Sequence, residues 1–290
     1  MSWRALLMHR SQSSAMTDSG PRPRYSVSPG LALAITASVL LGKKRSFSAD
    51  AKRMIKTFTP APRVENAHCI PRAGPFILVT NHYYKPGYRV WWGIAAIAAA
   101  IAECRPSSRE MVWLMTNRWT YTNHLQSLVV TPLTKVVFTR LARMYGFVPT
   151  PPMPRQPQYT EEGAQSVRRI LSLLDPHKNV EMPAIGIAPE GRDSPDGSLI
   201  EPPFGTGRFL IHMAKHGLHL LPVGVAEIEG ALTIRCGPLF TLDEWPHLSK
   251  SEQDRQASTQ VMLAIGRLLP AELWGVYREE IQRIAGSEEA

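Results

Sequence analysis

The stretch that decides the fold is PFILVTNHYYKPG, residues 75–87. Its first part, FILVT, is a short apolar run of the kind that forms a buried strand. The run ends in Asn81 and His82, and a Pro-Gly pair then marks a turn before a long helical pattern. We therefore expect His82 at the carboxyl end of a strand, which is the edge where ligands bind in open α/β sheets.

Outward from this stretch, short apolar runs alternate with longer helical patterns. This alternation is typical of β-α-β units and predicts an α/β fold, a mainly parallel sheet flanked by helices. Strands are predicted at 75–81, 111–116, 183–188, 219–226 and 231–236, and helices at 88–103, 131–145, 160–174, 206–216 and 251–269. Two Pro-rich stretches, 149–157 and 195–203, are predicted to be loops.

The composition favours one domain. The chain has 290 residues, of which 44% are hydrophobic, enough for one large core. We predict a folded domain over 46–290 and a poorly ordered or targeting-like segment over 1–45, which begins with arginines and serines and no acid before Asp18. An apolar run at 31–42 would span about 18 Å of a roughly 30 Å hydrocarbon core, too little to cross a membrane.

The net charge of +9 predicts an anionic partner, either phospholipid headgroups or nucleic acid. The sign of the charge does not choose between the two. The three cysteines, Cys69, Cys104 and Cys236, are far apart in sequence and form no C-x-x-C pair. They predict neither a disulfide framework nor a metal site, and a reducing compartment is the simpler assumption.

His82 is the first candidate for chemistry, because a titratable imidazole at the ligand-binding edge of a sheet can act as a general base. A single histidine after a strand is structural more often than catalytic, so the assignment needs neighbours. Those are predicted in the turn Pro189-Glu190-Gly191-Arg192-Asp193-Ser194, which follows another apolar run.

In this turn, glycine lets the backbone approach a ligand, Arg192 offers a fork for a phosphate group, and Glu190 could hold a substrate hydroxyl. An ordinary solvated turn has the same composition. A third element, Gly205-Thr206-Gly207-Arg208, opens a helix whose backbone N–H groups and Arg208 could hold an anion.

Taken in order, these pieces resemble the lysophospholipid and glycerol-phosphate acyltransferase family. The first family block is similar to residues 74–82, which end in Asn81-His82, and the second is loosely similar to 146–149. Pro189-Glu190-Gly191 matches the core of the third block, and 221–225 (LPVGV) matches the fourth. The resemblance covers about residues 60 to 230 and implies a glycerol-3-phosphate acyltransferase-like fold.

The resemblance implies that His82 takes a proton from an acceptor hydroxyl, which then attacks the thioester of an acyl-CoA or acyl carrier protein without a covalent acyl-enzyme. This donor would be a co-substrate, and no cofactor or metal is implied. The acceptor would be a phosphate-bearing lysolipid or glycerol phosphate. The substrate-binding residues implied or suggested are Asn81, Arg155, Glu190, Gly191, Arg192 and Arg208.

Two positions depart from the family pattern. Gly87 stands where the family has the Asp that orients the motif histidine, and Arg192-Asp193-Ser194 stands where the family commonly has Thr-Arg-Ser. The first change admits an alternative: a catalytically impaired, lipid-binding member of the same fold. A carboxylate from elsewhere in the chain would remove that difficulty.

The family resemblance favours a membrane partner over nucleic acid. We therefore expect a cytoplasmic protein, peripheral on an anionic membrane surface. No recognised nucleic-acid motif accompanies the arginines, and charge runs usually form solvated helix faces. The helix after His82 contains Trp91 and Trp92 and could dock on the bilayer, although its alanines equally predict a core helix.

Overall fold

The computed structural model describes residues 23–106, 108–121, 123–153, 156–175, 177, 179, 181–242 and 245–288. It contains one seven-stranded sheet with helices packed around it. The strands are β1 (Arg63–Glu65), β2 (Ile77–Thr80), β3 (Val112–Thr116), β4 (Val148–Thr150), β5 (Ile185–Ile187), β6 (Leu220–Ile228) and β7 (Ala231–Cys236). The helices are α1 (Pro29–Leu41), α2 (Phe47–Ile55), α3 (Val90–Cys104), α4 (His124–Tyr145), α5 (Thr160–Leu173), α6 (Thr206–Ala214), α7 (Lys250–Gly266) and α8 (Arg278–Glu288).

The sheet order is β1-β7-β6-β2-β5-β3-β4, and β6, β2, β5, β3 and β4 run parallel to one another. The hairpin partner β7 is antiparallel to β6, and β1 pairs parallel with β7. The predicted α/β class, with a mainly parallel sheet flanked by helices, is confirmed. All five predicted strands and all five predicted helices are present, with boundaries that differ by a few residues at most positions.

Strand β2 is central because its four residues are fully buried and it pairs with both β5 and β6. The registers Val79 with Ile187 and Thr80 with Val223 bring the carboxyl ends of β2 and β5 together beside β6, which continues to Ile228. The residues that follow β2 and β5 in the chain therefore meet at one edge of the sheet. This is the edge at which His82 was expected.

Two strands were not predicted. β1 and β4 are three-residue strands at opposite edges of the sheet. β4 contains Pro149, which was assigned to a loop, but proline is tolerated on an edge strand because it needs to donate no ladder hydrogen bond there. The remainder of the stretch 149–157 contains one short 3₁₀ turn, Pro157–Tyr159, among its described residues.

The helix after His82 is a core helix. In α3, Trp92 and every residue from Ala95 to Ile101 are buried, and α2 packs against it. Trp91 remains exposed. Of the two interpretations of this segment, the structure favours the core helix over the membrane-docking helix.

The N-terminal segment 1–45 is described only from residue 23, and residues 1–22 lie outside the described residues. Helix α1 lies within this segment and contacts α4 and α2. Ser28 caps its first turn and Gly42, with φ 68°, ends it. The division of the chain at residue 45 stays a prediction. Within the part of the chain that the structure describes, no helix combines the length and the apolar character needed to cross a membrane.

Candidate active site

His82 lies two residues beyond the end of β2, at the carboxyl edge of the parallel strands. Its backbone N–H donates to Glu190 Oε2 at 2.5 Å. Glu190 lies beyond the end of β5, and its other carboxylate oxygen accepts the N–H of Ile200 at 3.0 Å. One buried carboxylate therefore ties the turn after β2 to the turn after β5 and to the segment that follows it.

Glu190 is 2% exposed, and this burial raises the pKa of its carboxyl group, while the N–H donors of His82 and Ile200 act in the opposite direction. Each oxygen of the carboxylate has a backbone partner inside the protein. This geometry makes Glu190 a group that positions His82. The predicted contact of Glu190 with a substrate hydroxyl stays a prediction.

The imidazole of His82 faces a carboxylate that the family pattern does not contain. Its Nδ1 is in ion-pair contact with Oδ1 of Asp193, three residues after Glu190. Nδ1 is buried and has no hydrogen-bond partner among the described residues, so the carboxylate of Asp193 is the polar group that lies closest to it. The side chain of His82 is 19% exposed and that of Asp193 is 50% exposed.

This arrangement leaves the second ring nitrogen available. Among the described residues, no hydrogen bond involves His82 Nε2. A carboxylate beside Nδ1 favours the tautomer with its proton on Nδ1, so that Nε2 carries a lone pair. The pair can therefore take a proton from a bound hydroxyl at Nε2 and hold the resulting positive charge against Asp193.

Close backbone packing holds the two turns together. A Cβ atom on Gly197, which has φ 79°, would lie 2.2 Å from the backbone oxygen of Tyr84. Only glycine allows this approach of the turn after β5 to the turn that carries His82. Gly191, with φ 66°, is restricted in the same way, since its Cβ would lie 2.9 Å from Cγ of Met153.

Gly191, in the third sequence block, lies beside Met153, which comes shortly after the second block at 146–149. Arg155, which was predicted to bind substrate, lies outside the described residues. Arg192 and Asp193 are both exposed at this edge, and Arg192 forms no ion pair with any described residue. Arg192 thus stays a candidate for binding an anion.

Asn81 is buried at 3% exposure, and its side chain links β2 to β6. Its amide nitrogen donates to the carbonyl of Val225 at 2.9 Å, and its oxygen accepts the N–H of Val225 at 2.8 Å. These bonds fix the residue before His82 to the neighbouring strand. Asn81 is therefore placed as a structural link, and its predicted contact with substrate stays a prediction.

The start of α6 differs from what the sequence predicted. The backbone N–H groups of Gly205 and Arg208 donate to the two carboxylate oxygens of Asp254 at 2.7 and 2.8 Å. Asp254 is 4% exposed and belongs to α7. The expectation of free N–H groups for an external anion is wrong, because the protein supplies its own carboxylate. The exposed side chain of Arg208 stays a candidate for binding an anion.

A second charged pair lies along the same edge, after β3. Arg118 is 7% exposed, pairs with Glu162 of α5 and lies 4.6 Å from the ring centroid of Tyr159. Glu162 also accepts hydrogen bonds from Asn117 and Lys135. Burial raises the pKa of Glu162, but the hydrogen bonds from Arg118, Asn117 and Lys135 outweigh it and lower the pKa to about 2.

Asp193, Asn117 and Arg118 were not singled out by the sequence. The signal available for Asp193 was its place in the third block, where the family has an arginine. Asn117 and Arg118 follow a predicted strand in the same way that Asn81 and His82 follow β2. Their position after a strand could have identified them as residues at the same edge of the sheet.

The larger of the two cavities described, about 270 Å³, lies away from His82 at the amino ends of β3 and β5. Its polar lining includes Lys52, Arg105, Arg109 and Glu110. Glu110 accepts the hydroxyl groups of Ser46 and Ser48 at the start of α2. The residues that line this cavity include no histidine beside a nucleophile. We therefore place the candidate active site at His82, although the larger cavity lies elsewhere.

Comparison with known proteins gives a likeness in structure but none in sequence. No family model and no curated protein sequence matches the chain. A solved structure, that of the 1-acyl-sn-glycerophosphate acyltransferase PlsC from Thermotoga maritima, is similar over 88% of this chain and 82% of its own chain, at 15% identity and a TM-score of 0.44. A likeness of this degree assigns neither a family nor an activity.

Proposed function

We propose that this protein is an O-acyltransferase that moves a fatty acyl group from an acyl thioester to a hydroxyl of a phosphate-bearing lysolipid or glycerol phosphate. The observation that carries the proposal is the contact between His82 Nδ1 and Asp193, held at the carboxyl edge of the sheet by Glu190. The ordered sequence blocks supply the reaction class.

In the proposed reaction, His82 Nε2 accepts the proton of the acceptor hydroxyl as its oxygen attacks the thioester carbonyl carbon. The carbon–sulfur bond of the tetrahedral intermediate then breaks, and the imidazolium returns its proton to the departing thiolate, which leaves as the free thiol of CoA or of the carrier protein. Asp193 holds the ring and stabilises the imidazolium between these two steps.

The acceptor phosphate requires cationic groups near His82. Arg192 and Arg208 are exposed and form no ion pair within the described residues, and we propose that they, with Arg155, bind this phosphate. The charge of +9 is consistent with an anionic acceptor in an anionic membrane. We also propose a peripheral position on the cytoplasmic side of that membrane, in keeping with three free cysteines.

The non-catalytic alternative loses its main support. It rested on Gly87, which stands in the place of the carboxylate that orients the motif histidine. We propose that Asp193 takes that role from a different turn, and its contact with the same imidazole supports this. No specific observation now favours a lipid-binding protein without turnover. That interpretation would be adopted if the activity test below failed.

The test is the release of free thiol from a panel of acyl-CoAs with lysophosphatidic acid or glycerol 3-phosphate. Wild-type protein is expected to release thiol in multiple turnovers, and His82→Ala is expected to lose about 10²-fold or more of that rate, the usual contribution of a general base. Acyl carrier protein donors form the second arm. The proposal fails if wild type and His82→Ala are indistinguishable with both donor classes.

A further inference from the structure

Helix α1 exposes apolar side chains to solvent. Its sequence, PGLALAITASVLL, contains no charged residue, and only Leu31 and Ser38 are buried. Leu33, Leu40 and Leu41 are 72%, 67% and 68% exposed. A helix that is apolar all round is normally buried, so this one lacks part of its expected cover in the described structure.

Helix α4 shows the same property over its first four turns. Five large apolar side chains are between 40% and 65% exposed: Leu128, Val129, Leu133, Val136 and Val137. Helices α1 and α4 contact each other, and the backbone N–H of Arg45, just after α1, donates to the carbonyl of Met144 near the end of α4. We call these exposed residues of the two helices the α1–α4 surface: Leu33, Leu40, Leu41, Leu128, Val129, Leu133, Val136 and Val137.

Single exposed apolar residues are normal on a soluble protein, but eight of them on two contacting helices indicate an interaction site. The charges beside them indicate what the site binds. Lys43 and Lys44 follow α1 directly, and Arg140 and Arg143 lie on the last turns of α4. All four are exposed, and none forms an ion pair with a described residue.

An apolar helical face bordered by unpaired basic residues fits an anionic bilayer, with the apolar side chains among the acyl chains and the cations at the phosphates. The length of α1, about 20 Å for 13 residues, is too short to span a roughly 30 Å hydrocarbon core, so it fits an orientation parallel to the membrane plane. A second protein would be expected to present acidic groups to these cations, and another copy of this chain, at +9, opposes rather than complements them.

We propose that the α1–α4 surface docks the protein on anionic phospholipid bilayers, a step that deepens the proposed function by naming how the enzyme meets its lipid acceptor. Helix α4 begins shortly after β3 ends, on the edge of the sheet that carries His82. Trp119 lies between the two, 46% exposed and packed edge-on against Phe138 of α4. The docking surface therefore begins at the same edge as the site.

The test is vesicle flotation of the full chain, without any acyl donor. Vesicles of phosphatidylcholine alone are compared with vesicles that also contain phosphatidylglycerol. Wild type is expected to float with the second kind and to be released by salt. Val129→Glu with Leu133→Glu is expected to weaken binding about tenfold or more, since two apolar anchors are replaced by charges that the bilayer repels.

The controls separate docking from folding and from catalysis. Val276→Glu changes a similarly exposed apolar residue, at 63%, outside the α1–α4 surface and is expected to float like wild type. His82→Ala is also expected to float normally, so that a failure of the proposed reaction leaves the docking result intact. Lys43→Glu with Lys44→Glu is expected to weaken binding about tenfold on the vesicles that contain phosphatidylglycerol, and only on those.

The docking proposal fails if wild-type protein does not float with the vesicles that contain phosphatidylglycerol, and two further results would also overturn it. One is unchanged flotation of the Val129→Glu, Leu133→Glu protein with unchanged thermal stability. The other is a wild-type dimer in sedimentation that these substitutions convert to a monomer, which would make the α1–α4 surface an interface between copies of the chain.

Discussion

Two charged pairs lie on the same edge of the sheet, and they differ in how completely their hydrogen bonds are satisfied. Glu162 accepts hydrogen bonds from three different side chains, and one of these donors, Arg118, is buried. Asp193 is half-exposed and faces one ring nitrogen of His82, whose other nitrogen has no partner among the described residues. The first pair is a closed network that joins β3 to α5, whereas the second keeps a group that can bind and react.

This contrast supports our assignment of the reaction to His82 and Asp193 rather than to Arg118 and Glu162. Each pair contains a residue that follows a strand, and each contains a carboxylate supplied by another part of the chain. A network whose members bond to one another rigidifies the fold and engages its polar groups within the protein rather than with a substrate. The pair that we propose to react is held through the hydrogen bond from the His82 backbone N–H to Glu190, and no described residue bonds to its Nε2.

Of the carboxylates in the two pairs, Asp193 is expected to matter more for activity, and Asp193→Asn tests this. Loss of an orienting carboxylate costs up to about 10⁴-fold in rate in the serine protease triad, because the wrong tautomer is then favoured. We expect a fall of about 10²- to 10⁴-fold in thiol release, with little change in thermal stability because the side chain is half-exposed.

The matched control is Asp196→Asn, in the same turn, where the carboxylate bonds to Ser194 and Ser198 and makes no ion pair with His82. It is expected to keep most of the activity. Equal losses in the two variants would assign Asp193 to the shape of the turn and remove it from the proposed mechanism.

The second expected effect concerns the packing between the two turns of the site. Gly197→Ala places a Cβ within 2.2 Å of the Tyr84 backbone oxygen at a φ of 79°. We expect a loss of about 2 kcal/mol or more in the free energy of unfolding, together with reduced thiol release, because backbone must move. Gly217→Ala has a φ of 76° and meets nothing within 4 Å, so it measures the backbone strain alone. Equal losses of stability in both variants would contradict the contact.

The third prediction tests the closed network. Arg118→Met is expected to lower the free energy of unfolding by about 2 kcal/mol, as a charged hydrogen bond to a partly buried carboxylate is lost while Asn117 and Lys135 still bind Glu162. Its effect on thiol release should be far smaller than that of Asp193→Asn. Arg168→Met, which breaks an exposed pair with Glu161, should leave stability unchanged within error. A greater loss of activity in Arg118→Met than in Asp193→Asn would reverse the roles given to the two pairs.

Much of the fold could be predicted from sequence because its strands are short apolar runs and its helices have clear starts. The sequence did not predict β1 and β4, which have three residues each and are too short to show a period, and it did not predict the helices α2 and α8. The apolar run of α1 was recognised, but its exposure was not, since hydrophobicity does not say whether a partner covers a helix. For the same reason α3 was left open between core and membrane.

The site was predicted in part. His82 and Glu190 could be named because each follows a strand, and parallel strands bring their carboxyl ends together. The partner of His82 could not, because Asp193 meets it across a distance of more than a hundred residues in sequence. In the same way, no local pattern shows that Asp254 of α7 occupies the N–H groups at the start of α6. Contacts between distant segments are what the sequence pattern leaves undetermined.

The last prediction concerns the pH dependence of stability in the Glu162→Gln variant. Because the pKa of Glu162 is lowered to about 2 in the folded protein, its charged form favours folding above the unfolded pKa of about 4.5. That contribution is lost as the pH falls from about 4.5 through about 2, where the carboxylate becomes protonated. Denaturant unfolding across this range should show a flatter acid slope in Glu162→Gln than in wild type. Parallel slopes would mean that the hydrogen bonds to Glu162 do not stabilise its charged form in solution. The distinction between this bonded network and the His82 pair would then lose its support.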